Sequence, residues 1–122
     1  MHHQKISSYL KQLGFTPSRR GYYSTQYAIL FAYENPLLLK SITKKLYPLI
    51  AKKLNESVYS VEKNIRYSIE QAWLQADNDL IDDIFKYSIN AEKAKPTNLQ
   101  FIATMAEHIR LEIMLESISR RN

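Results

Sequence analysis

The stretch of residues 47–73 limits the fold more than any other part of this sequence, because it predicts two helices separated by a very short break. Pro48 suits the first turn of a helix, where its missing N–H leaves no hydrogen bond unmade. Asn55 suits the left-handed residue that ends a helix, and Ser57 is a favoured N-cap for the next one. The small Ala51, the turn four residues later and an apolar residue six positions further on have the spacing of a helix-turn-helix.

The second of these helices, predicted over residues 57–76, has an apolar and a polar face when it is wound at about 100° per residue. Its apolar face, expected to be buried, consists of Val58, Val61, Ile65, Ile69, Ala72 and Trp73. Its polar face consists of Tyr59, Lys63, Arg66, Tyr67 and Glu70, with Glu62 at the margin. Side chains of these types near the start of such a helix read base edges in the major groove of DNA. An ordinary solvated helix face is the alternative, and the pattern alone does not separate the two interpretations.

The composition favours helices. Glycine and proline are scarce, with 2 and 4 residues in a chain of 122, which favours an all-α fold over turn-rich β architecture. A chain of this length is expected to form one domain over residues 1–122, with a sizeable core. The lack of cysteine excludes a disulfide framework and a thiolate metal site, which fits the cytoplasm. No run of about 18 apolar residues could span a bilayer and no signal peptide is visible, so a cytoplasmic protein without membrane association is expected.

Helical spacing of apolar residues elsewhere predicts further helices at about residues 4–13, 22–34, 37–46, 78–87 and 98–118. Gly14 is placed to end the first of them, and Gly21 lies just before the second. The second is rich in aromatic side chains, which we interpret as core; a stacking platform for single-stranded nucleic acid is the alternative. Its residues at helical spacing are Tyr27, Leu30, Phe31 and Glu34. Thr97 and Gln100 form the sequence pattern of a capping box at the start of the last helix.

Positive charge is concentrated in the first half of the chain. Residues 1–66 carry 11 Lys and Arg against 3 acids, whereas residues 67–122 carry 6 against 9. A basic half that ends with the polar helix face is expected if this half meets a polyanion such as DNA. The lysines expected to contact phosphates are Lys44, Lys45, Lys52, Lys53, Lys93 and Lys95. A solvated lysine face, an acidic protein partner and a membrane surface are the alternatives.

The last predicted helix carries two apolar stripes. The first, expected to face the core, consists of Phe101, Ile102, Met105, Ile109 and Ile113. The second consists of Leu111, Met114, Leu115 and Ile118. Because a helix that is apolar on two sides needs either more core or a partner, we interpret the second stripe first as core and second as a contact with a partner or another copy.

The sequence predicts no catalytic, cofactor or metal site. It lacks a cysteine nucleophile, a glycine-rich phosphate loop and paired carboxylates in an apolar setting, so an enzyme is not expected. Acidic residues at positions 77, 79, 82 and 83 could suggest a metal site, but they lie on a helical pattern without the features of a calcium loop. A solvated acidic face is the preferred interpretation. His108 is isolated on a helix flank and is expected to be a surface or core residue, not a ligand.

Three segments of the chain carry a resemblance to a known family: SITKKLYPLIAKKLN at residues 41–55, VEKNIRYSIEQAW at residues 61–73 and KAKPTNLQFIA at residues 93–103. Together they resemble the C-terminal DNA-binding effector domain of the stage zero sporulation protein A family of sporulation regulators. The resemblance implies an all-α, six-helix orthogonal bundle that contains a helix-turn-helix. It also implies binding to a short operator box with the consensus TGTCGAA, often as a tandem pair, and contact with RNA polymerase sigma subunits.

The resemblance also implies roles for individual residues. Carried over by position, the base-reading residues are Glu62, Lys63 and Arg66, and Lys95 is a backbone contact. Further base or backbone contacts are Tyr59, Ser60 and Tyr67. The sequence departs from the family pattern where Lys63 replaces an arginine and Tyr67 replaces a histidine. A point charge cannot reproduce a bidentate fork, so an altered or relaxed operator preference is expected.

The expected function is therefore sequence-specific binding of double-stranded DNA and control of transcription. The alternative is a protein-interaction module that pairs with or antagonises a full-length regulator or a sigma subunit through the second stripe. In the family, a phosphorylated receiver precedes this domain and drives dimerisation. No such receiver is seen here, so we expect either an excised domain or a natural stand-alone version, which could act on DNA as a homodimer or a tandem pair.

Overall fold

The structure, a computed structural model, describes residues 2–75, 78–85 and 95–120, and within these ranges the chain is helical and forms no strand. Its α-helices are α1 (His3–Gln12), α2 (Arg20–Glu34), α3 (Tyr47–Leu54), α4 (Val58–Gln75), α5 (Asn78–Phe85) and α6 (Asn98–Arg120). The predicted all-α fold is confirmed. Gly14 follows α1 with a φ of 97°, as predicted for a residue that ends a helix in the left-handed region.

Helix α2 lies at the centre of the bundle, in contact with α1, α3, α4 and α6. It begins at Arg20, so Gly21 lies inside its first turn and not before the helix as predicted. A Cβ atom at Gly21 would lie 1.8 Å from the Ser68 Oγ and 2.4 Å from the backbone oxygen of Asn64. The backbones of α2 and α4 therefore approach each other as closely as only glycine allows.

The interpretation of the aromatic side chains of α2 as core is only partly correct. Leu30 is buried, but Tyr27 and Phe31 are half-buried and Glu34 is exposed. The fully buried side chains instead include Tyr22, Thr25, Ala28, Ile29 and Ala32. Because neighbours surround α2 on several sides, small and polar residues are buried along it as well, and the most apolar row does not mark one inward face.

The single α-helix predicted over residues 37–46 is wrong. The chain instead forms a 3-10 helix over Pro36–Lys40 and a π-helical turn over Ile42–Leu46 that leads directly into α3. Ser41 separates them with a non-helical backbone, and its carbonyl accepts hydrogen bonds from the N–H groups of both Lys45 (2.8 Å) and Leu46 (3.3 Å). Leu38 and Leu46 are buried along this irregular path.

A cluster of aromatic rings joins α4, α5 and α6. The rings of Phe85 and Phe101 are stacked with their centroids 5.5 Å apart, and Trp73 meets both at 5.1 and 5.9 Å. The ring centroid of Phe15, in the α1–α2 connection, lies 5.4 Å from that of Phe101. Edge-to-face and offset contacts between rings stabilise the fold beyond the effect of burying the rings. This cluster therefore fixes α4, α5 and α6 relative to one another.

Helix α6 begins with the predicted capping box, which is confirmed at both of its hydrogen bonds. The N–H of Gln100 donates to Thr97 Oγ1 at 3.1 Å, and the N–H of Thr97 donates to Gln100 Oε1 at 2.9 Å. The core stripe of α6 is buried through Ile109, and Ile113 is half-buried. The second stripe is exposed, so its interpretation as core is wrong: no element of the described chain covers that side of the helix.

A polar network holds the far end of α6 against α1. Lys5 Nζ lies 3.2 Å from Glu112 Oε1 and 3.1 Å from Glu116 Oε2. The hydroxyl of Tyr9 donates to Glu112, and His108 Nε2 lies 3.2 Å from the same hydroxyl. Burial tends to raise the pKa of Glu112, but the hydrogen bonds from Tyr9 and Lys5 outweigh it and hold that pKa below its usual value.

Candidate nucleic-acid interface

The helix-turn-helix predicted at residues 47–73 is confirmed, with α3 and α4 as its two helices. Asn55 has φ 55° and ψ 50°, the left-handed conformation that ends α3. The N–H of Ser60 donates to Ser57 Oγ at 3.0 Å, which makes Ser57 the N-cap of α4. Ala51 and Val61 are both buried, so a small and an apolar side chain lie where the two helices cross.

Helix α4 has one buried and one exposed face, as its sequence predicted. The buried side chains are Val61, Ile65, Ile69 and Ala72, with Val58 and Trp73 half-buried. The exposed side chains include Tyr59, Lys63, Arg66 and Tyr67, and Tyr59 is 70% exposed. The apolar face fixes the rotation of the helix, and this rotation directs the long polar side chains to solvent.

Glu62 and Arg66 form an ion pair one helical turn apart on this face. The Arg66 Nε lies 3.0 Å from Glu62 Oε2, and Nη2 lies 3.5 Å from Oε1. The hydrogen bond and the charge of Glu62 raise the pKa of the Arg66 guanidinium. Because both side chains are substantially exposed, water screens the pair and it can open when a stronger partner arrives.

Two further cations lie on or beside the exposed face. Lys63 Nζ is 5.8 Å from the centroid of the Tyr59 ring, and Lys95 Nζ is 3.9 Å from Glu70 Oε2. Lys95 precedes α6, so this ion pair brings the start of α6 alongside α4. Ser60 lies at the edge of the face, where its Oγ accepts a hydrogen bond from the Ser57 hydroxyl at 3.0 Å.

The lysines expected at phosphates are spread over two elements next to α4. Lys44 and Lys45 are exposed on the π-helical turn, and Lys52 and Lys53 are exposed in the last turn of α3. Lys53 Nζ lies over the Tyr27 ring of α2, 5.8 Å from its centroid. Lys93 lies outside the described residues.

Asn98 joins α6 to both α3 and α4. From the sequence it was predicted only as the first residue of the last helix. Its side-chain amide donates to the Tyr47 hydroxyl at 2.9 Å and to the backbone oxygen of Glu62 at 3.1 Å. Burial raises the pKa of Tyr47, which keeps that hydroxyl neutral. These residues line a groove of about 290 Å³ that also contains Arg66 and Lys95. No local pattern could reveal a contact between residues 36 positions apart.

Replacing Asn98 with alanine is expected to lower the free energy of unfolding by about 1–2 kcal/mol, because two hydrogen bonds to partly buried groups are lost. It should also weaken the DNA binding that the sequence predicts, since the start of α6 no longer holds α4. Urea unfolding and a binding titration would measure the two effects. Gln100→Ala removes only a cap at the same helix start and is the control, with an expected cost nearer ~0.5 kcal/mol. If Asn98→Ala leaves both the free energy of unfolding and the DNA affinity unchanged, Asn98 does not position α4.

The described residues contain no group of three or more His, Cys, Asp or Glu side chains that could hold a metal ion. Asp79, Asp82 and Asp83 belong to α5, whereas residue 77 and the end predicted for this helix at residue 87 lie outside the described ranges. Within these ranges no helix is both long enough and apolar enough to cross a bilayer.

Comparison with family models gives a match over most of the chain. Residues 6–109 match the model of a family described as sporulation initiation factor Spo0A C terminal. The matched region includes the helix-turn-helix, the exposed face of α4 and the groove beside it. The end of α6, from residue 110 onward, lies outside the match.

Proposed function

This chain belongs to the family of the C-terminal domain of sporulation initiation factor Spo0A, and we propose that it reads a specific duplex DNA sequence with α4 in the major groove. The family is one of DNA-binding domains that regulate transcription in sporulation, and it is not a family of enzymes. DNA binding and transcription regulation follow from membership. The reading helix, the residues that contact bases and the geometry of docking are our proposal.

The observation that carries the proposal is the outer face of α4, which presents Lys63, Arg66 and Tyr67 to solvent while the opposite face is sealed in the core. A guanidinium can donate two parallel hydrogen bonds to guanine O6 and N7, which makes Arg66 the main base-reading residue. Glu62 can accept a hydrogen bond from cytosine N4, and Lys63 can reach a guanine or a phosphate as a single point charge.

Tyr59, Ser60 and Tyr67 lie around these three residues and suit contacts with bases or with the sugar–phosphate backbone. Ser60 already takes part in the cap of α4, so a contact with the backbone near the helix start fits it better than base reading. Tyr59 and Tyr67 are the bulkiest exposed groups on the face and would define its width in the groove.

Phosphate contacts are proposed for Lys44, Lys45, Lys52, Lys53 and Lys95, and Lys93 remains a prediction from sequence. All those described are exposed or half-exposed on elements that lie beside α4. Such contacts position a protein on the duplex without reading its sequence. Their number sets the dependence of affinity on salt, because each neutralised phosphate releases a condensed counterion.

Lys52→Ala is expected to weaken binding to all duplexes by the same factor and to reduce the slope of log affinity against log salt by about one. The measurement is a titration of specific and scrambled duplex at several salt concentrations. Lys11→Ala, which removes the same charge from the exposed end of α1, is the matched control and should leave the slope unchanged. A slope change of equal size in both variants would contradict a local phosphate contact.

The experiment that tests the proposed function is a gel shift with single and tandem TGTCGAA boxes against scrambled duplex at two salt concentrations. Clear preference for the box is the expected result, and equal affinity for box and scrambled duplex would contradict base reading.

Four further expectations stay predictions. They are a tandem arrangement on DNA, contact with a sigma subunit, the cytoplasmic location and the single domain over residues 1–122. Buried side chains of all six α-helices form one cluster, which supports the single domain.

A further inference from the structure

Arg19 and Arg20 are both exposed at the start of α2, and the function proposed above gives them no role. Among the residues that the structure describes, neither side chain forms an ion pair, and the first turn of α2 contains no acid. A cation in the first turn of a helix meets the positive end of the helix dipole, so these arginines do not stabilise α2. Two adjacent unpaired arginines that the fold does not need are suited to an anion outside the chain.

The start of α2 lies against one flank of α4. Arg19 lines a small cleft together with Gln71 of α4. A Cβ atom at Gly21, two residues further along α2, would lie 2.4 Å from the backbone oxygen of Asn64, which is two turns earlier in α4. The two helices therefore run antiparallel here, and the arginines lie beside the middle turns of α4.

Arg20 lies on the side of α2 that already carries a cation expected at a phosphate. Tyr27 follows Arg20 by seven residues and lies only about 20° from it around the helix. Lys53 Nζ is 5.8 Å from the centroid of the Tyr27 ring, so Arg20 and Lys53 lie in one row along α2. Because α2 and α4 run antiparallel, the step back from Gly21 to Arg20 turns toward the flank of α4 that exposes Tyr67.

This flank and the start of α6 lie on opposite sides of the exposed face of α4. Tyr67 lies about 140° around α4 from Glu62, whose backbone oxygen accepts a hydrogen bond from the Asn98 side chain at 3.1 Å. Lys95, just before α6, lines the groove on the Glu62 side. A helix with its side chains is about 10–12 Å across and the major groove is about 12 Å wide, so phosphates of both strands come close to the two sides of a helix in the groove.

We propose that Arg20, with Arg19 beside it, contacts phosphates of one DNA strand while Lys95 contacts the other strand, so that α4 is held in the major groove from both edges. The contact at Arg20 rests on the proposed function, because it takes α4 as the helix in the groove. A guanidinium donates two parallel hydrogen bonds to phosphate oxygens, which makes arginine well suited to this position. Contacts on both edges fix the orientation of α4 in the groove without reading bases themselves.

Arg20→Ala is expected to weaken binding to box and scrambled duplex by the same factor and to reduce the slope of log affinity against log salt by about one. Arg20→Lys keeps the charge and should keep the slope. Arg120→Ala, which removes an exposed arginine from the end of α6, is the matched control and should leave affinity and slope unchanged. An unchanged slope in Arg20→Ala, or equal changes in Arg20→Ala and Arg120→Ala, would overturn the contact.

Neutral methylphosphonates, placed one at a time along each strand of the box, test which phosphates are contacted. Each contacted phosphate should weaken binding of the unchanged protein when it is neutralised. Arg20→Ala should abolish this sensitivity at neighbouring phosphates of one strand, and Lys95→Ala should abolish it at phosphates of the other strand. Loss of sensitivity at the same phosphates in both variants, or at none in Arg20→Ala, would overturn the two-edged arrangement.

The preference of the unchanged protein for box over scrambled duplex separates the two ways of failing. If the preference is present and the slope of Arg20→Ala is unchanged, the contact at Arg20 is wrong and base reading by α4 stands. If the preference is absent, base reading fails, and the slope of Arg20→Ala on scrambled duplex still decides whether Arg20 contacts a phosphate.

Discussion

Replacing Arg66 with alanine is expected to remove most of the preference of this protein for its specific DNA box. The guanidinium is exposed on α4 and can donate two hydrogen bonds to one guanine, so its loss should reduce the ratio of specific to scrambled affinity roughly 5- to 150-fold. Affinity for scrambled duplex should change far less, because phosphate contacts from the lysines remain. Titration of both duplexes at one salt concentration gives the ratio.

Two control variants separate shape from charge at this position. Arg66→Lys keeps the positive charge but replaces a planar fork by a point charge, so it should lose specificity while keeping nearly the same dependence on salt. Arg19→Ala removes an arginine just before α2 and should leave the specificity ratio unchanged. If Arg66→Lys retains full specificity, or if Arg19→Ala lowers the ratio as much as Arg66→Ala, the assignment of Arg66 as the main base-reading residue is wrong.

Replacing Gly21 with alanine is expected to lower the free energy of unfolding by about 2–3 kcal/mol, the larger end of the range for an added methyl group in a tight site. The new Cβ would lie 1.8 Å from Ser68 Oγ and 2.4 Å from the backbone oxygen of Asn64. A side chain can rotate away, but the backbone of α4 cannot move without displacing its exposed face. Denaturant unfolding measures the loss, and weaker specific DNA binding should accompany it.

The expected sign is opposite to that from helix propensity, which makes this substitution a sharp test. Alanine in place of glycine inside a helix ordinarily stabilises it by about 1 kcal/mol. The double variant Gly21→Ala with Ser68→Ala removes the closest contact, with the Ser68 Oγ, and should recover only part of the loss, because the Asn64 oxygen remains. Stabilisation by Gly21→Ala alone would show that α2 and α4 do not approach as closely as the structure has them.

The parts of the fold that depend on local sequence signals could be predicted. The turn at Asn55 and Ser57, the capping box at Thr97 and the two faces of α4 each follow from residues within one or two helical turns. The exposed face of the candidate interface could be predicted for the same reason, since helical periodicity alone assigns Arg66 to the side opposite the core.

The parts that depend on contacts between distant residues could not be predicted. The helix expected over residues 37–46 is broken at Ser41, and no proline or glycine marks the break in the sequence. Gly21 was placed before its helix because its role becomes visible only against α4. Asn98 contacts Glu62 across 36 residues, and the exposure of the second stripe on α6 depends on which helices happen to cover it.

The ion pair between Glu62 and Arg66 has a consequence for the encounter with DNA. An arginine free in solvent samples many rotamers, and fixing one of them on binding costs about 0.5–1.5 kcal/mol for a typical long side chain at an interface. Here the Glu62 carboxylate contacts the guanidinium through Nε at 3.0 Å and through Nη2 at 3.5 Å before any ligand arrives. Because the pair is exposed and screened by water, it restricts the Arg66 side chain only in part, so a part of this ordering cost is already met in the unbound protein.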